Sequence, residues 1–482
     1  MNRRNYTVHL ALAGALIVLA AFAGRVERWE WKRRQVTYEP VAVSSQPAAT
    51  TTAPHAFTWV DTQAEVLVRF KPGVTEERIQ AITAHMHDHV EDEIESVEGL
   101  TVIEDLNGET VTQVISDYTA LSEVEYAEPN EFIHAEPLEA ESIRGRFVSP
   151  GDDAEGPNDP LLSEQWGLIN TGQREGRAEA DISARIAWAK TQGSKKVVVA
   201  VLDSGVDYTH PDLAGNIWHR PADIEMYFDP QLGVIDDYEG FSAVDGERDP
   251  MDENGHGTHC AGIIGAEGDN SLGIAGVNWK VEIMPLKFMG RGGFGSTKDA
   301  IEAINYVIAR KADGVNVRII SASWGSPSRS RALEDVIRKA GEAGILFVAA
   351  SGNDSADADR RPHFPSGYKL PNVISVAALD RRDELASFSN YGAKSVHVAA
   401  PGKEILSTWL AGGYEEHSGT SMATPFVAGV AALVLSVEPN LTVAELRERL
   451  LNSVDKLDSL RGKVATGGRV NAARAVRAIQ VK

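Results

Sequence analysis

The sequence predicts an α/β fold, a doubly wound parallel sheet, preceded by a small α+β module of ferredoxin-like order. Three observations carry this. Apolar runs of strand length at 197–202, 281–286, 317–323, 345–350, 373–378 and 396–400 alternate with helical stretches at 297–311, 331–343, 421–437 and 443–454, as in a parallel sheet covered on both faces. Residues 426–437 are a nearly unbroken series of Val, Ala, Leu and Gly, a helix apolar all round and therefore buried. Upstream, about 70 residues follow a βαββαβ order.

At 482 residues, 43% hydrophobic and 24% charged, the chain has material for two or three globular domains. It opens on Arg3-Arg4, an apolar core over 10–22 and Ala21-Phe-Ala23 before Gly24, the pattern of a cleaved secretory leader over 1–23. That core is shorter than the ~20 residues that span a bilayer, so no stable membrane insertion is expected after cleavage. An uncleaved anchor is the alternative. Residues 24–58 read as a linker, charged over 25–34 and then rich in Ser, Pro, Ala and Thr. The module at 59–135 follows: a strand at 66–70, a turn at Pro72-Gly73, and a helix over 75–86 opened by Thr75 with Glu76 and Glu77 in its first turn. A strand near 100–103, a helix near 110–120 and a closing strand at 124–126 complete it. Residues 136–157, rich in Glu, Asp, Pro and Gly, form a second linker before the large domain at 158–482.

Of the net charge of −22, residues 1–157 hold −15, from 27 acidic and 12 basic side chains. No basic stripe accompanies it, so nucleic acid is excluded as a partner. The single cysteine, Cys260, rules out an intramolecular disulfide, and an exported form needs another source of stability.

The chemistry gathers in three blocks. Gly419-Thr-Ser-Met-Ala-Thr-Pro425 precedes the apolar helix. The first N–H groups of a helix lack partners and carry partial positive charge, so Ser421 lies among donors able to stabilise an oxyanion. Alone, such a serine is an N-cap. The run 197–202 ends in Asp203-Ser-Gly-Val-Asp207, a carboxylate at the strand end where open α/β sheets place their chemistry. Asn254-Gly-His256-Gly-Thr-His259-Cys260 supplies imidazoles. A serine nucleophile needs a base that takes and returns its proton, and the base needs a carboxylate to hold its tautomer. His256 and Asp203 suit these roles, with His259 the rival base.

Asp203, His256 and Ser421, in that order and each among glycines, resemble the subtilisin family of serine proteases, most closely its thermitase-like branch. The likeness spans about 158–482 and extends weakly to residue 60. No G-x-S-x-G elbow surrounds Ser421, which argues against a lipase or esterase. The resemblance implies an endopeptidase acting through an acyl-enzyme on proteins and peptides, with His256 as base and His259 and Cys260 packing behind it. It makes Asn353, after Ser351-Gly352, the oxyanion-hole amide beside the Ser421 N–H. Gly293-Phe294-Gly295 and Ser323-Trp324-Gly325 match the segments between which a substrate inserts as an extended strand. Phe294 is expected to line the pocket for the fourth residue upstream of the cut, and the first pocket is expected near Trp324 and 363–365.

Asp159, Asp212 and Asn270, with the carbonyls of Leu272 and Ile274, match a family calcium site, a hard-oxygen donor set. Asp245, Glu247 and Asp249, with Asp252 beside them, form a second candidate cluster, or else a solvated acidic loop. The module at 59–135 resembles a prosegment that assists folding and then inhibits, gripping by apolar strand pairing with little help from its acidity. The implied product is a monomeric protease, secreted or associated with the cell envelope, made as a precursor that processes itself. The alternatives are a catalytically dead scaffold domain and a membrane-tethered protease.

Overall fold

A computed structural model describes residues 64–135, the backbone of 139–141, and residues 156–230, 233–244 and 246–477. The leader, the first linker, Asp245 and most of the second linker lie outside them. The N-terminal module runs β1 (Glu65–Phe70), α1 (Glu76–Met86), β2 (Asp88–Glu93), β3 (Leu100–Asp105), α2 (Val111–Thr119) and β4 (Val124–Pro129). Its antiparallel sheet has the order β2-β3-β1-β4. Thr75 and Thr110 cap the two helices by accepting the N–H of Arg78 and Gln113. Helix α1 stops at His87, whose left-handed conformation turns its N–H back to the Ala84 and Thr83 carbonyls. Strand β2 reads Asp-His-Val-Glu-Asp-Glu, too polar to announce itself by alternation: the βαββαβ order calls for a strand between the first helix and 100–103, but the sequence did not mark its place.

Because side chains alternate across a strand, the small sheet has two apolar faces. Val66, Val68, Phe70 and Ile103 pack on Ile79, Ile82, Val114 and Tyr118 of its own helices. Leu67, Leu100, Val102 and Tyr126 enter the core of the large domain, in one cluster with Ile301, Ile304 and Leu333. Beyond the module lie β5 (Phe132–Ala135) and β6 (Glu139–Glu141).

In the large domain α3 (Ala184–Trp188), β7 (Gly193–Asp203), β8 (Tyr227–Asp229), β9 (Gly233–Ile235), β10 (Phe241–Ser242), α4 (His256–Gly265) and β11 (Lys280–Lys287) come first. Then follow β12 (Phe294–Ser296), α5 (Thr297–Ala312), β13 (Val317–Ala322), β14 (Trp324–Gly325), α6 (Arg331–Glu342), β15 (Leu346–Ala350), β16 (Val373–Leu379) and β17 (Val398–Pro401). The chain ends with β18 (Ile405–Trp409), β19 (Gly413–Ser418), α7 (Thr420–Val437), α8 (Val443–Asn452), β20 (Asp455–Lys456), β21 (Gly468–Arg469) and α9 (Ala472–Ala475).

The main sheet has the order β10-β11-β7-β13-β15-β16-β17-β21-β20, parallel except where β20 meets β21. Strand β7 shows the double winding in one segment. Val199 and Val201 face the cluster that holds α4 and α7, while Val198, Ala200 and Leu202 face the one that holds α5 and α6. Helix α7 is buried from Thr420 to Leu435, as its all-round apolarity requires.

Candidate active site

Asp203 closes β7, and its Oδ1 lies 2.6 Å from Nδ1 of His256, the first residue of α4. Both side chains are fully buried. The Ser204 N–H fixes the same carboxylate oxygen at 2.8 Å. The start of α4 is held by a residue whose role the sequence did not reveal. Asp252 accepts the N–H groups of Asn254, Gly255 and Thr258 and the hydroxyls of Ser204 and Thr258. It anchors the helix and the Asp203 turn together, and is not turned toward a metal cluster. His259 points away from Asp203: its Nε2 donates to the carbonyls of Ile405 or Glu415, at 3.1 and 3.0 Å. Burial first, then the nearby His417, keeps its pKa well below the usual imidazole value, so it stays neutral.

Ser421 lies in the first turn of α7 and makes a reciprocal pair of bonds with Ser323. The Ser421 hydroxyl donates to the Ser323 carbonyl at 2.9 Å, and the Ser323 hydroxyl donates to the Ser421 carbonyl at 2.8 Å. The second bond has a cause in the sequence. Pro425 sits inside the helix and lacks the N–H that would satisfy the carbonyl four residues back, which is that of Ser421. Ser323 Oγ takes over, with Cys260 Sγ at 3.6 Å. Cys260 is thus a packing residue with a polar contact, tying α4 to the Ser421 backbone.

Asn353 follows Gly352, whose φ of 99° a side chain would resist. Its Oδ1 accepts the N–H and hydroxyl of Thr420, at 2.9 and 3.0 Å, which turns its Nδ2 to the other side. A Cβ placed on Gly419 would lie 3.3 Å from that Nδ2 and 3.5 Å from the Ser421 N. The two donors therefore converge on one small space beside Ser421, and glycine keeps it open. Donors so arranged suit an oxyanion.

The cleft holds a peptide already. Strand β5 lies between β12 and β14, antiparallel to both: His134, Ile133 and Phe132 oppose Phe294, Gly295 and Ser296, and Ala135 and His134 oppose Trp324 and Gly325. The Ala135 N–H donates to the Gly293 carbonyl at 2.9 Å. Beyond the undescribed 136–138, β6 pairs with β19, setting Glu139 opposite Ser418. Side-chain placement differs from expectation in two respects. Phe294 is 46% exposed, its ring 6.0 Å from that of His134, while the buried Ile133 joins Phe288, Trp324 and Leu333. Trp324 is fully buried and donates to the Leu202 carbonyl at 2.9 Å, and its backbone pairs with Ala135.

Residues 194–470 match the model of the Subtilase family, Peptidase_S8, and residues 62–130 that of the Fervidolysin N-terminal prodomain. This chain belongs to the subtilase family. Among relatives of this subtilase, a thermophilic serine proteinase of Bacillus sp. (strain AK1) is 35% identical over 416 residues, 86% of this chain and 87% of the relative. Thermitase of Thermoactinomyces vulgaris is 36% identical over 321 residues, 66% of this chain and 99% of its own. Subtilisin-like protease 1 of Plasmodium berghei (strain Anka) is 34% identical over 340 residues, 66% and 54% respectively. The subtilase is a serine-type endopeptidase preceded by a prodomain.

Subtilases commonly bind calcium, and one of the two candidate donor sets is brought together. Asp212 accepts the Asn270 amide at 2.7 Å, the Ile274 N–H at 2.9 Å and the Tyr414 hydroxyl at 3.2 Å. Asp159 accepts the N–H groups of Asp269 and Asn270 from the same loop, and Leu272 donates to the Asn270 Oδ1. Burial, and the charge of Asp212, raise the pKa of Asp159 to about 6. Burial likewise raises that of Asp212. Two buried carboxylates that meet on the Asn270 loop fit a calcium ion, a cation that takes hard oxygen donors and whose charge would offset that cost. In the second set the described members, Glu247 and Asp249, take separate partners. Glu247 pairs with Lys287 at 2.8 Å, and Asp249 accepts the Tyr208 hydroxyl and the Met251 N–H. Asp245 lies outside the described residues.

Proposed function

We propose that the chain is an exported precursor which cuts itself and matures into an endopeptidase. In it Ser421 is the nucleophile, His256 the base, Asp203 the group that holds the His256 tautomer, and Asn353 with the Ser421 N–H the oxyanion donors. The observation that carries the reading is β5, clamped between β12 and β14 with Ala135 opposite Trp324, the neighbour of the Ser323 whose carbonyl accepts the Ser421 hydroxyl: the cleft takes an extended main chain, as a substrate would present it. The Asp203–His256 bond at 2.6 Å favours this over a dead scaffold domain. A fluorophosphonate probe tests it, since labelling at Ser421 is expected and intact-mass analysis showing none would overturn it. Asn353→Ala should lower kcat by about 100- to 1,000-fold with little change in KM, the loss seen in subtilisin on removing one such donor.

Self-processing follows from the same register. If the last residues of the prosegment stay in the substrate cleft, the register of 132–135 makes the expected cut close to Glu136, beside Pro137. A proline nitrogen carries a ring in place of hydrogen and restricts the residue before it, so cleavage is expected after Ala135 or within 138–156. Sequencing the mature N-terminus checks this, and a chain beginning at Pro137 would refute it.

The segment 60–135 should then inhibit in trans. Its grip is more polar than the sequence suggested. Glu128 accepts the Ser330 hydroxyl and the N–H groups of Arg331 and Ala332 at the start of α6. Asn130 accepts the Lys298 N–H at 2.8 Å at the start of α5. Tyr126 and Arg69 both bond Asp335. Charge-assisted bonds at a helix N-terminus are strong, so Glu128→Ala should raise the inhibition constant by roughly tenfold or more, about 1.4 kcal/mol. An unchanged constant would restore the purely apolar picture.

Calcium at the Asp159, Asp212, Asn270, Leu272 and Ile274 site is proposed to stabilise the mature, disulfide-free domain. A ligand bound only by the folded state adds about 2.7 kcal/mol at a hundredfold excess over Kd. Chelation should therefore lower Tm, and Asp212→Ala should blunt the effect. Identical melting curves with chelator and with millimolar calcium would remove the ion from this account.

A further inference from the structure

Where the prodomain meets α5, carboxyl groups of the two domains press on one another. The carboxyl groups of Asp92 of β2 and Glu302 lie within reach of one another, and Glu95 and Asp229 of β8 stand close to both. Tyr227 faces the same four acids. Glu302 is 9% exposed, and its Oε1 has no hydrogen-bond partner among the described residues. Ionised carboxylates only accept, so a bond between two of them requires a proton on one.

One turn earlier, Lys298 Nζ lies 3.1 Å from Glu91 and 3.5 Å from Glu65, one ammonium for two prodomain carboxylates. The Glu91 Oε2 is buried and meets no hydrogen-bond donor among the described residues, with the Glu65 carboxyl beside Glu91. A neutral contact holds Glu95 in place. The Asn305 amide donates to Glu95 and accepts the Ser96 N–H at 3.0 Å. Like charges buried this closely cannot all ionise.

We propose that prodomain docking is proton-linked: the Asp92–Glu302 pair holds a proton only while the prodomain sits on α5, so the precursor is clamped in acid and loosens as pH rises. This rests on the reading of the prodomain as an inhibitor. Burial pushes Asp92 up to about 6, with Asp229 and Glu95 adding to it. Burial, then Asp92 and Asp229, pushes Glu302 well above the carboxylate range. Glu91 rises to about 7 through burial, which outweighs Lys298, with Glu65 adding. Groups whose pKa is raised in the docked state favour docking fully below their ordinary pKa of ~4, and lose that contribution as pH climbs through the docked values. The loss is up to about tenfold in the docking equilibrium per proton and pH unit, and then it levels off.

The test uses the full-length Ser421→Ala chain, which should not cut itself. Amide hydrogen exchange, corrected for the intrinsic rate, is followed in peptides covering 92–97 and 297–305. Opening of this interface should increase tenfold or more from pH 5 to pH 8, while the amides of β7 stay protected. Glu302→Gln, whose amide can donate to an ionised Asp92, should show a much smaller increase in opening from pH 5 to pH 8, the remainder coming from Glu91, and Asp92→Asn should behave alike. Equal interface opening at both pH values would overturn the proposal. So would an undiminished pH dependence in both variants, or a dependence on added calcium in place of protons. The inhibitor reading fails separately: a wild-type precursor that hydrolyses peptides at full rate at pH 5, with these amides protected, would refute inhibition and leave the proton linkage standing.

Discussion

Ser421→Ala is expected to abolish peptide hydrolysis and self-cleavage together, leaving a folded full-length chain. The fold should survive because the backbone contacts of residue 421 stay: its carbonyl still accepts the Ser323 hydroxyl and approaches Cys260 Sγ. What is lost is one hydroxyl bond to the Ser323 carbonyl, a term of about 1 kcal/mol, set against the whole covalent pathway. In subtilisin, a member of the same family, removing the serine costs about a millionfold in kcat, nearly as much as removing the whole triad; that magnitude is carried over to this chain as an expectation. Adding His256→Ala should then cost little further, because a base without its nucleophile has no proton to take. Normal turnover by purified Ser421→Ala would remove Ser421 from the chemistry.

Much of this site is legible in the sequence because its residues occupy ends of elements. Asp203 terminates an apolar run, His256 begins a helix and Ser421 begins the most apolar helix of the chain, so each is marked by a break in periodicity. The parallel strands show themselves by continuous hydrophobicity, since both faces are covered. What sequence hides is whatever depends on neighbours distant along the chain. Strand β2 is acidic because part of it faces α5 and the carboxylate pair there, so its pattern follows the interface and not a core. Asp252 reads as one more acid in the loop after 245, yet it is buried and bonded to five donors. The role of Ser323 follows from Pro425, a hundred residues later, and only the folded structure joins the two. Phe294 and Trp324 sit in segments that pair with β5, but a one-residue change of phase along a strand swaps the buried and exposed faces.

Gly419→Ala should lower kcat at least as much as Asn353→Ala, by about a hundredfold or more, without unfolding the protein. Gly419 is extended, with φ of 166° and ψ of 163°, a conformation that alanine adopts without strain. The cost of the methyl group falls on the chemistry. It would stand 3.3 Å from Asn353 Nδ2 and 3.5 Å from the Ser421 N, in the space where an oxyanion must come within about 2.7–3.1 Å of the same donors. A bound carbonyl and that methyl group cannot both fit. Asn353→Ala deletes one donor, whereas Gly419→Ala excludes the oxygen from both, and the double variant should be little worse than Gly419→Ala alone. Affinity for the prodomain should change less than kcat, because β5 is held by β12 and β14 through main-chain bonds made away from residue 419. A Gly419→Ala enzyme with wild-type kcat would show that the space beside Ser421 is not where the developing charge resides.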